Sequence, residues 1–288
     1  MEKNNNLINV EQKKIFKLNN PVLLNEKWGY IMNTQDNIYN IFSDIKNNHN
    51  IESQSFYSIG QGINENKSVF IHKKHLQNIN QKNNIISAVY KESSYFYNET
   101  EYFLYHSFTK DKKDALYLKS IGAEELAKGK ELKRKYPTII MPRGIGDTHF
   151  AGILPAKTLS NSYVDIYMDK PDEEKSLNIW LFCNSSLFFL YREISGRKNL
   201  GGGLLKAEAS DIKNIPLYFP ILDKKGIKYL LEKNNKPDNL LKRLENDIQK
   251  EIDSLILKYF NISDKNTLII SELKKLYEFR VKKAKSSI

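Results

Sequence analysis

The segment from Leu177 to Ser195 constrains the fold more than any other part of this sequence. It is apolar almost all round, with a short polar interruption at 184–186. That pattern predicts one buried helix, because a helix at a protein surface keeps a polar face. The apolar stretch is too short to cross a bilayer. Gly196 follows directly and is predicted to end the helix in the left-handed conformation that glycine adopts easily.

Short strands and further helices are predicted on both sides of this segment. The strand candidates are rich in β-branched and aromatic residues, and the helix candidates are amphipathic or rich in helix-forming residues. The predicted strands are Phe56–Ile63 and Ser68–Ile71 around a glycine-bearing loop, Tyr102–Tyr105, Thr138–Met141 and Tyr163–Met168. The predicted helices lie within Trp28–Asn47 and over Ile121–Tyr136, Asp238–Tyr259 and Ser271–Lys285.

These elements predict a mixed α+β fold, in which short strands and helices are followed by long C-terminal helices. The expected division is an N-terminal tail and helix over 1–50, a domain over 51–222 and a C-terminal helical segment over 223–288. A chain of 288 residues is long enough for one large domain or two small ones, each with a core.

The charge balance favours a polyanionic partner. Lysine and arginine number 45 against 34 acidic residues, which gives a formal charge of +11 at pH 7. Such an excess suits nucleic acid or an acidic membrane surface. The one cysteine, Cys183, excludes an internal disulfide and a thiolate metal cluster, and it fits a reducing compartment. No apolar signal segment lies within residues 1–20, so a cytoplasmic protein without a membrane segment is expected.

A glycine-rich loop with cationic neighbours follows the apolar segment. Without Cβ atoms its backbone can approach a ligand closely and offer N–H groups, and the cations suit phosphate oxygens. The lysine–serine/threonine pair of a P-loop is missing, so a flexible connection and a site for another phosphate ligand both remain open. The residues of interest are Arg197, Lys198, Asn199, Gly201, Gly202, Gly203 and Lys206.

Three segments, in order, resemble the target-recognition region of gamma-type N6-adenine DNA methyltransferases of type II and IIG restriction–modification systems. The most specific is LFFLYREISGRKNLGGGLLKAEASDIKNIPLYFP at Leu187–Pro220. Two weaker segments are YSIGQGINENKSVFIHKKHL at Tyr57–Leu76 and YPTIIMPRGIGDTHFAGILPAKTLSNSYVDIYMD at Tyr136–Asp169. The resemblance covers roughly Trp28 to Pro220. It implies that 51–222 is a target-recognition domain that binds double-stranded DNA sequence-specifically.

The resemblance also implies which residues contact DNA. Arg143, Gly144 and Gly146 lie in the loop PRGIGDTHF between predicted strands. Arg143 is expected to read a guanine edge in the major groove or to bind a phosphate. Without the resemblance, Arg143 would be interpreted as a solvated hairpin arginine. Phosphate contacts are expected from the cations and the glycine backbone of the second loop, namely Arg197, Lys198, Lys206 and Gly201–Gly203.

The motifs for methyl transfer are missing from the sequence. The family binds S-adenosylmethionine at a glycine-bearing loop and positions the flipped adenine with an Asn/Asp-Pro-Pro-Tyr/Phe motif. The nearest segment, Asn20–Leu23, lacks the second proline and the aromatic residue. No catalytic residue and no cofactor are therefore assigned to this chain, and a methyltransferase catalytic subunit or domain is expected to supply S-adenosylmethionine. The chain is expected to be a separate specificity subunit or the downstream piece of a split gene.

Two other interpretations remain open. A restriction nuclease needs an acidic residue and an acid-x-lysine unit to hold magnesium, which Asp165 and Glu173–Lys175 match loosely. A non-DNA interaction module would instead use the apolar faces of the C-terminal helices to dock a partner. His72 and His75 lie close in sequence with no further ligand nearby, so a solvated face is favoured over a metal site.

Overall fold

The computed structural model describes residues 7–9, 15–17, 38, 40–42, 45, 56–63, 70–80, 85–89, 102–105, 111–123, 135–170, 172–198, 203–213, 223–234 and 238–285. Within them, strands are followed by a predominantly helical C-terminal part, which confirms the predicted mixed α+β fold. The strands are β1 (Leu7–Asn9), β2 (Ile15–Lys17), β3 (Tyr57–Gln61), β4 (Phe70–His72), β5 (Ile85–Val89), β6 (Tyr102–Tyr105), β7 (Ile139–Pro142), β8 (Gly144–Ile145), β9 (Gly152–Ile153), β10 (Thr158–Ser160), β11 (Tyr163–Met168) and β12 (Leu205–Lys206).

Two four-stranded sheets form most of the β part. The first has the order β3-β11-β7-β9 with antiparallel pairing throughout, and Ile166 of β11 lies opposite Ile59 and Ile139. The second has the order β10-β5-β6-β4, and β10 pairs parallel with β5. The strands predicted near 102, 138 and 163 are confirmed as β6, β7 and β11. The two strands predicted around the glycine-bearing loop are confirmed as β3 and β4, which belong to different sheets.

Most of the helices share a hydrophobic core with the first sheet. They are α1 (Lys112–Ser120), α2 (Glu173–Cys183), α3 (Ser186–Ser195), α4 (Ala209–Ile212), α5 (Lys224–Lys233), α6 (Leu240–Glu245), α7 (Asp247–Tyr259) and α8 (Asn266–Lys285), with short 3-10 helices at Lys73–Asn78 and Ser263–Lys265. The described residues at 38, 40–42 and 45 are helical, as predicted for that segment. None of the helices in the described ranges is long and apolar enough to cross a membrane.

The buried segment is two helices, not the single helix predicted from the sequence. The break falls at Asn184 and Ser185, between α2 and α3. The Asn184 side chain accepts from Ala151 N at 3.2 Å and donates to Ala151 O at 3.0 Å, and Ser185 Oγ accepts from Phe188 N at 3.2 Å. Such bonds compete with the helical ladder and favour a break. The predicted burial is confirmed, because most side chains of both helices are inaccessible to solvent.

Gly196 ends α3 for a reason other than the predicted one. Its φ of −79° and ψ of 158° are extended backbone and not the left-handed conformation. A Cβ atom here would lie 2.6 Å from Leu205 Cδ1 and 2.9 Å from Arg192 O. Glycine is therefore required by the close approach of β12 to the end of α3.

The helix predicted from Ile121 does not begin there. Gly122, with a φ of +79°, ends α1, and Ala123 N donates to Leu118 O at 2.8 Å in the pattern typical of a glycine C-cap. Residues 135 and 136 are not helical, and 124–134 lie outside the described residues.

The C-terminal helices also differ from the prediction in their bounds. The segment predicted as one helix over 238–259 is divided at Asn246, whose extended backbone ends α6. The Asn246 side chain then caps α7 by accepting from Ile248 N at 2.8 Å. α8 begins at Asn266, earlier than the predicted start at Ser271.

One hydrophobic core joins the first sheet to the helices. Alternate residues of β11 point to opposite faces, and Val164 and Ile166 face the core that contains α2 and α3. Side chains of the C-terminal helices belong to the same core, among them Ile227 of α5, Ile252 of α7 and Leu273 of α8. A smaller core lies between the second sheet and α1. The division into three segments stays a prediction.

Candidate nucleic-acid interface

The two loops singled out in the sequence meet in a small antiparallel ribbon. β8 pairs with β12 so that Gly144 lies opposite Lys206. On the other side of β12, Arg197 and Lys206 exchange two backbone hydrogen bonds, each 2.9 Å long. Ala207 N donates to Arg143 O at 2.9 Å, which fixes the residue before β8 in the same unit. We call β8 and β12, together with Arg143 and Arg197, the cationic ribbon.

A single carboxylate, that of Glu208, binds the cations of this ribbon. Arg143 donates from Nε to Oε2 and from Nη2 to Oε1, both at 3.0 Å. Lys206 Nζ lies 2.9 Å from Oε1, and Arg197 Nη2 lies 3.6 Å from the same oxygen. Gln61 Nε2, from the end of β3, donates to Oε2 at 2.5 Å. Three cations around one anion leave a surplus of two positive charges.

The backbone holds Glu208 in place independently of its side chain. Its N–H donates to Asp211 Oδ2 at 2.8 Å, and its carbonyl accepts from Asp211 N at 2.9 Å at the start of α4. Burial alone would raise the pKa of Glu208, but hydrogen bonds from Arg143 and Lys206 outweigh it and hold the pKa below its ordinary value. The carboxylate is therefore ionised at neutral pH.

The members of the ribbon differ in their exposure. The exposed fraction of the side chain is 61% for Arg197, 34% for Lys206, 20% for Arg143 and 8% for Glu208. Leu204, just before β12, is exposed as well, and its Cδ1 lies 3.5 Å from the position that a Cβ on Gly144 would take. The outer side of the ribbon thus presents cations and one apolar group, with the carboxylate behind them.

Arg280 of α8 anchors both loops from inside the molecule. Its Nη1 donates to Ile145 O at 3.2 Å, to Gly146 O at 2.7 Å and to Gly203 O. Gly203 has a φ of +70°, a conformation that favours glycine. The ribbon is therefore attached to the last helix through backbone carbonyl groups.

Glu193 of α3 holds Arg280 in that position. It accepts from Arg280 Nε at 3.2 Å and from Nη2 at 2.8 Å, and its Oε1 lies 2.9 Å from His149 Nε2. Burial would raise the pKa of Glu193, but the bond from His149 and the charge of Arg280 lower it to about 2. Burial lowers the pKa of His149 to about 4, so a neutral His149 donates from Nε2 to an ionised carboxylate.

The residues predicted to contact DNA occupy different places in this arrangement. Those on the cationic ribbon are Arg143, Gly144, Arg197 and Lys206. Those whose carbonyl groups accept from Arg280 are Gly146 and Gly203. Those outside the described residues are Asn199, Gly201 and Gly202. Lys198 is half-buried, and burial lowers its pKa.

Sequence reasoning missed Glu208 and Gln61. Glu208 lies within the glycine-rich segment, two residues after Lys206, and an acid beside that run of cations was the available signal. Gln61 is 147 residues away from Glu208, so no local pattern connects the two.

The acidic residues of the nuclease interpretation have separate partners. Asp165 of β11 is buried and accepts from Ser160 Oγ at 2.5 Å and from Tyr167 OH at 2.8 Å. Glu173 is exposed at the start of α2 and binds Lys224 and Lys228. In the part of the chain that the structure describes, no group of three or more His, Cys, Asp or Glu residues is arranged to hold a metal ion.

The chain shares its fold with part of a restriction–modification enzyme. The type IIG restriction endonuclease BpuSI aligns with 89% of this chain at a TM-score of 0.59 and 18% sequence identity. The type IIL restriction-modification enzyme MmeI, solved in complex with DNA, aligns with 81% of this chain and 36% of its own at a TM-score of 0.44 and 12% identity. The matched part is 34% of the BpuSI chain, so this chain spans about a third of that enzyme. No family model and no curated protein matches the sequence.

Proposed function

We propose that the chain is a sequence-specific DNA-binding region of a restriction–modification system, which selects the target of an adenine N6-methyltransferase. The cationic ribbon carries this proposal, because its exposed side holds a surplus of two positive charges. A two-stranded ribbon fits the major groove, where lysine and arginine reach phosphates and base edges. The fold shared with part of the restriction endonuclease BpuSI supports the same role.

Methyl transfer itself belongs to a partner domain or subunit in this proposal. The sequence has no Asn/Asp-Pro-Pro-Tyr/Phe motif, so binding of S-adenosylmethionine and flipping of the adenine are assigned to that partner. The expected partner is a methyltransferase domain with this motif, either joined to this chain or encoded beside it.

Binding to a labelled duplex at several salt concentrations, measured by fluorescence anisotropy, tests the proposal. Affinity should fall linearly on a double-logarithmic plot, as phosphate contacts require. The double variant Arg197→Ala/Lys206→Ala should bind more weakly and reduce the slope by about 2, because each lost phosphate contact removes roughly 0.9. Lys250→Ala removes an exposed lysine paired with Asp247 on α7 and should change neither quantity. Absent or salt-insensitive binding by the wild type contradicts the proposal.

A further inference from the structure

The guanidinium of Arg143 binds Glu208 along one edge and leaves another edge free. Nε and Nη2 each donate to the carboxylate at 3.0 Å, which is a side-on arrangement. Because the guanidinium is planar, Nη1 and the second N–H of Nη2 then form an edge directed away from Glu208. No described residue accepts from Nη1, and the side chain is 20% exposed. The free edge is open to a ligand that offers two acceptors.

The same geometry already operates inside the molecule. Arg280 binds Glu193 side-on through Nε and Nη2, at 3.2 and 2.8 Å. Its Nη1 then donates to the carbonyl groups of Ile145 and Gly146. A side-on carboxylate therefore fixes an arginine here without occupying its outer edge.

Guanine matches the free edge of Arg143. Its major-groove edge presents two acceptors, O6 and N7, which an arginine binds in a bidentate manner. Adenine presents one acceptor and one donor at the same edge, so a fixed arginine would set a donor against a donor. Arg197 and Lys206 are more exposed than Arg143, which suits them to phosphate contacts and leaves base recognition to the more tightly held Arg143.

We infer that Glu208 is a positioning residue, which fixes Arg143 for bidentate recognition of one guanine in the target sequence. This inference rests on the proposed function. Glu208 is suited to the role because Gln61 and the start of α4 hold it in place, and because it is almost fully covered. Its charge also offsets that of Arg143, which reduces the attraction of Arg143 to phosphates of any sequence.

Selection from a pool of randomised duplexes, followed by affinity measurements on the enriched and an unrelated duplex, tests the inference. The wild type should enrich a motif with a guanine at one position, and Glu208→Gln should lower discrimination there by about tenfold or more. Its affinity for the unrelated duplex should rise, because the ribbon gains one positive charge. Arg143→Lys keeps the positive charge but should lose the preference for guanine at the same position of the motif. Glu174→Gln removes an exposed acid on α2 and is the control for net charge, with no expected change in the motif.

The outcomes separate the inference from the proposed function. If either Glu208→Gln or Arg143→Lys keeps the wild-type discrimination at the guanine, the inference is overturned and the DNA-binding function stands. If Glu208→Gln lowers the affinity for the enriched and the unrelated duplex equally, Glu208 only supports the fold, and the inference is again overturned. A wild type that shows no salt-sensitive binding and no enriched motif contradicts the proposed function itself.

Discussion

His149, Glu193 and Arg280 form a hydrogen-bonded cluster in the interior, with one ion pair between Glu193 and Arg280. All three side chains are buried, and Glu193 binds both of the others. A buried ion pair contributes little net stability relative to an apolar pair, but the loss of one partner leaves the other charge without compensation. The cluster therefore makes the position of Arg280, and with it that of the cationic ribbon, dependent on Glu193.

Glu193→Gln should destabilise the protein by about 3–5 kcal/mol, because the buried guanidinium of Arg280 loses its counter-charge. Urea unfolding at neutral pH measures the effect. The matched control is Glu278→Gln on α8, where the carboxylate lies 3.5 Å from Lys282 and is 47% exposed. An exposed pair of this kind contributes less than about 1 kcal/mol. Equal effects of the two substitutions would argue against a structural role for the buried cluster.

Asp165 is another buried ionisable residue, and its burial makes the stability of the protein depend on pH. Burial raises the pKa of Asp165 to about 7, although hydrogen bonds from Ser160 and Tyr167 oppose the change. The folded pKa thus lies above that of the unfolded chain, which is near 4. The stability from protonated Asp165 is complete below the unfolded pKa and is lost as the pH rises through the folded pKa.

Asp165→Asn should therefore gain stability relative to the wild type as the pH rises from 4 to 8. The difference in the free energy of unfolding should grow by up to about 4 kcal/mol, which corresponds to three pKa units. Urea unfolding of both proteins across this range measures it, and the comparison cancels the titration of other groups such as His149. A difference that does not change with pH would show that the Asp165 pKa is close to 4 in the folded protein.

Gly196 shows how tightly two elements approach each other. A side chain at this position would meet Leu205 of β12 and the carbonyl of Arg192 in α3, both at less than 3 Å. The ribbon and the helix would have to separate, since neither neighbour is the flexible end of an exposed side chain.

Gly196→Ala should destabilise the protein by roughly 1–3 kcal/mol, the range for overpacking, and should weaken duplex binding. Thermal unfolding and the anisotropy assay measure the two effects. Gly226→Ala on α5 is the matched control, because no atom lies within 4 Å of the position that its Cβ would take and the residue lies away from the ribbon in sequence. If Gly196→Ala is as stable as the control, β12 is able to shift away from α3 without cost.

Sequence patterns predicted where the helices and strands lie better than where they end. Apolar periodicity identified the buried segment and β11, because buried positions require apolar side chains and these repeat with the period of the helix or strand. The breaks at Asn184 and Asn246 were not predicted, since each depends on side-chain bonds that compete with the helix. The break at Asn184 further requires Ala151, which is 33 residues distant. The strand pattern predicted β3 and β4 but not their partners, because adjacency in sequence does not specify which strand of a mixed fold each one joins.

At the scale of the whole molecule, the C-terminal helices share one core with the first sheet. α8 packs along α3, α7 contacts α2 and α3, and α5 contacts α2. Arg280 adds polar contacts between α8 and both loops of the ribbon. Helices placed in this way should unfold together with the sheet.

Urea unfolding should therefore be a single transition when followed by far-UV circular dichroism and by Trp180 fluorescence. The measurement uses a Trp28→Phe variant, in which Trp180 of α2 is the one remaining tryptophan. Circular dichroism reports all helices, whereas Trp180 reports the centre of the core, where it is fully buried. Coincident midpoints are expected for one cooperative unit. Two separated transitions would instead support an independent C-terminal segment over 223–288.

Only part of the candidate site was predicted from the sequence, namely the part with a local pattern. Arg143, Arg197 and Lys206 were recognisable as cations beside glycines, and the ribbon brings them together. The roles of Glu208 and Arg280 were not predicted, because they come from contacts across 65 and 134 residues of chain. Contacts between residues so far apart in sequence produce no local pattern from which they could be predicted.

The inward and outward side chains of the cationic ribbon have different roles, so substitutions on the two faces should accumulate differently during evolution. The inward side chains of Ile145 and Leu205 are buried, and the anchor from Arg280 reaches only carbonyl oxygens, which every residue type possesses. Outward side chains such as that of Arg197 make no contribution to the core. Substitutions on the outer face are thus tolerated by the fold, so the chemistry that the ribbon presents to solvent can change while its backbone arrangement is kept.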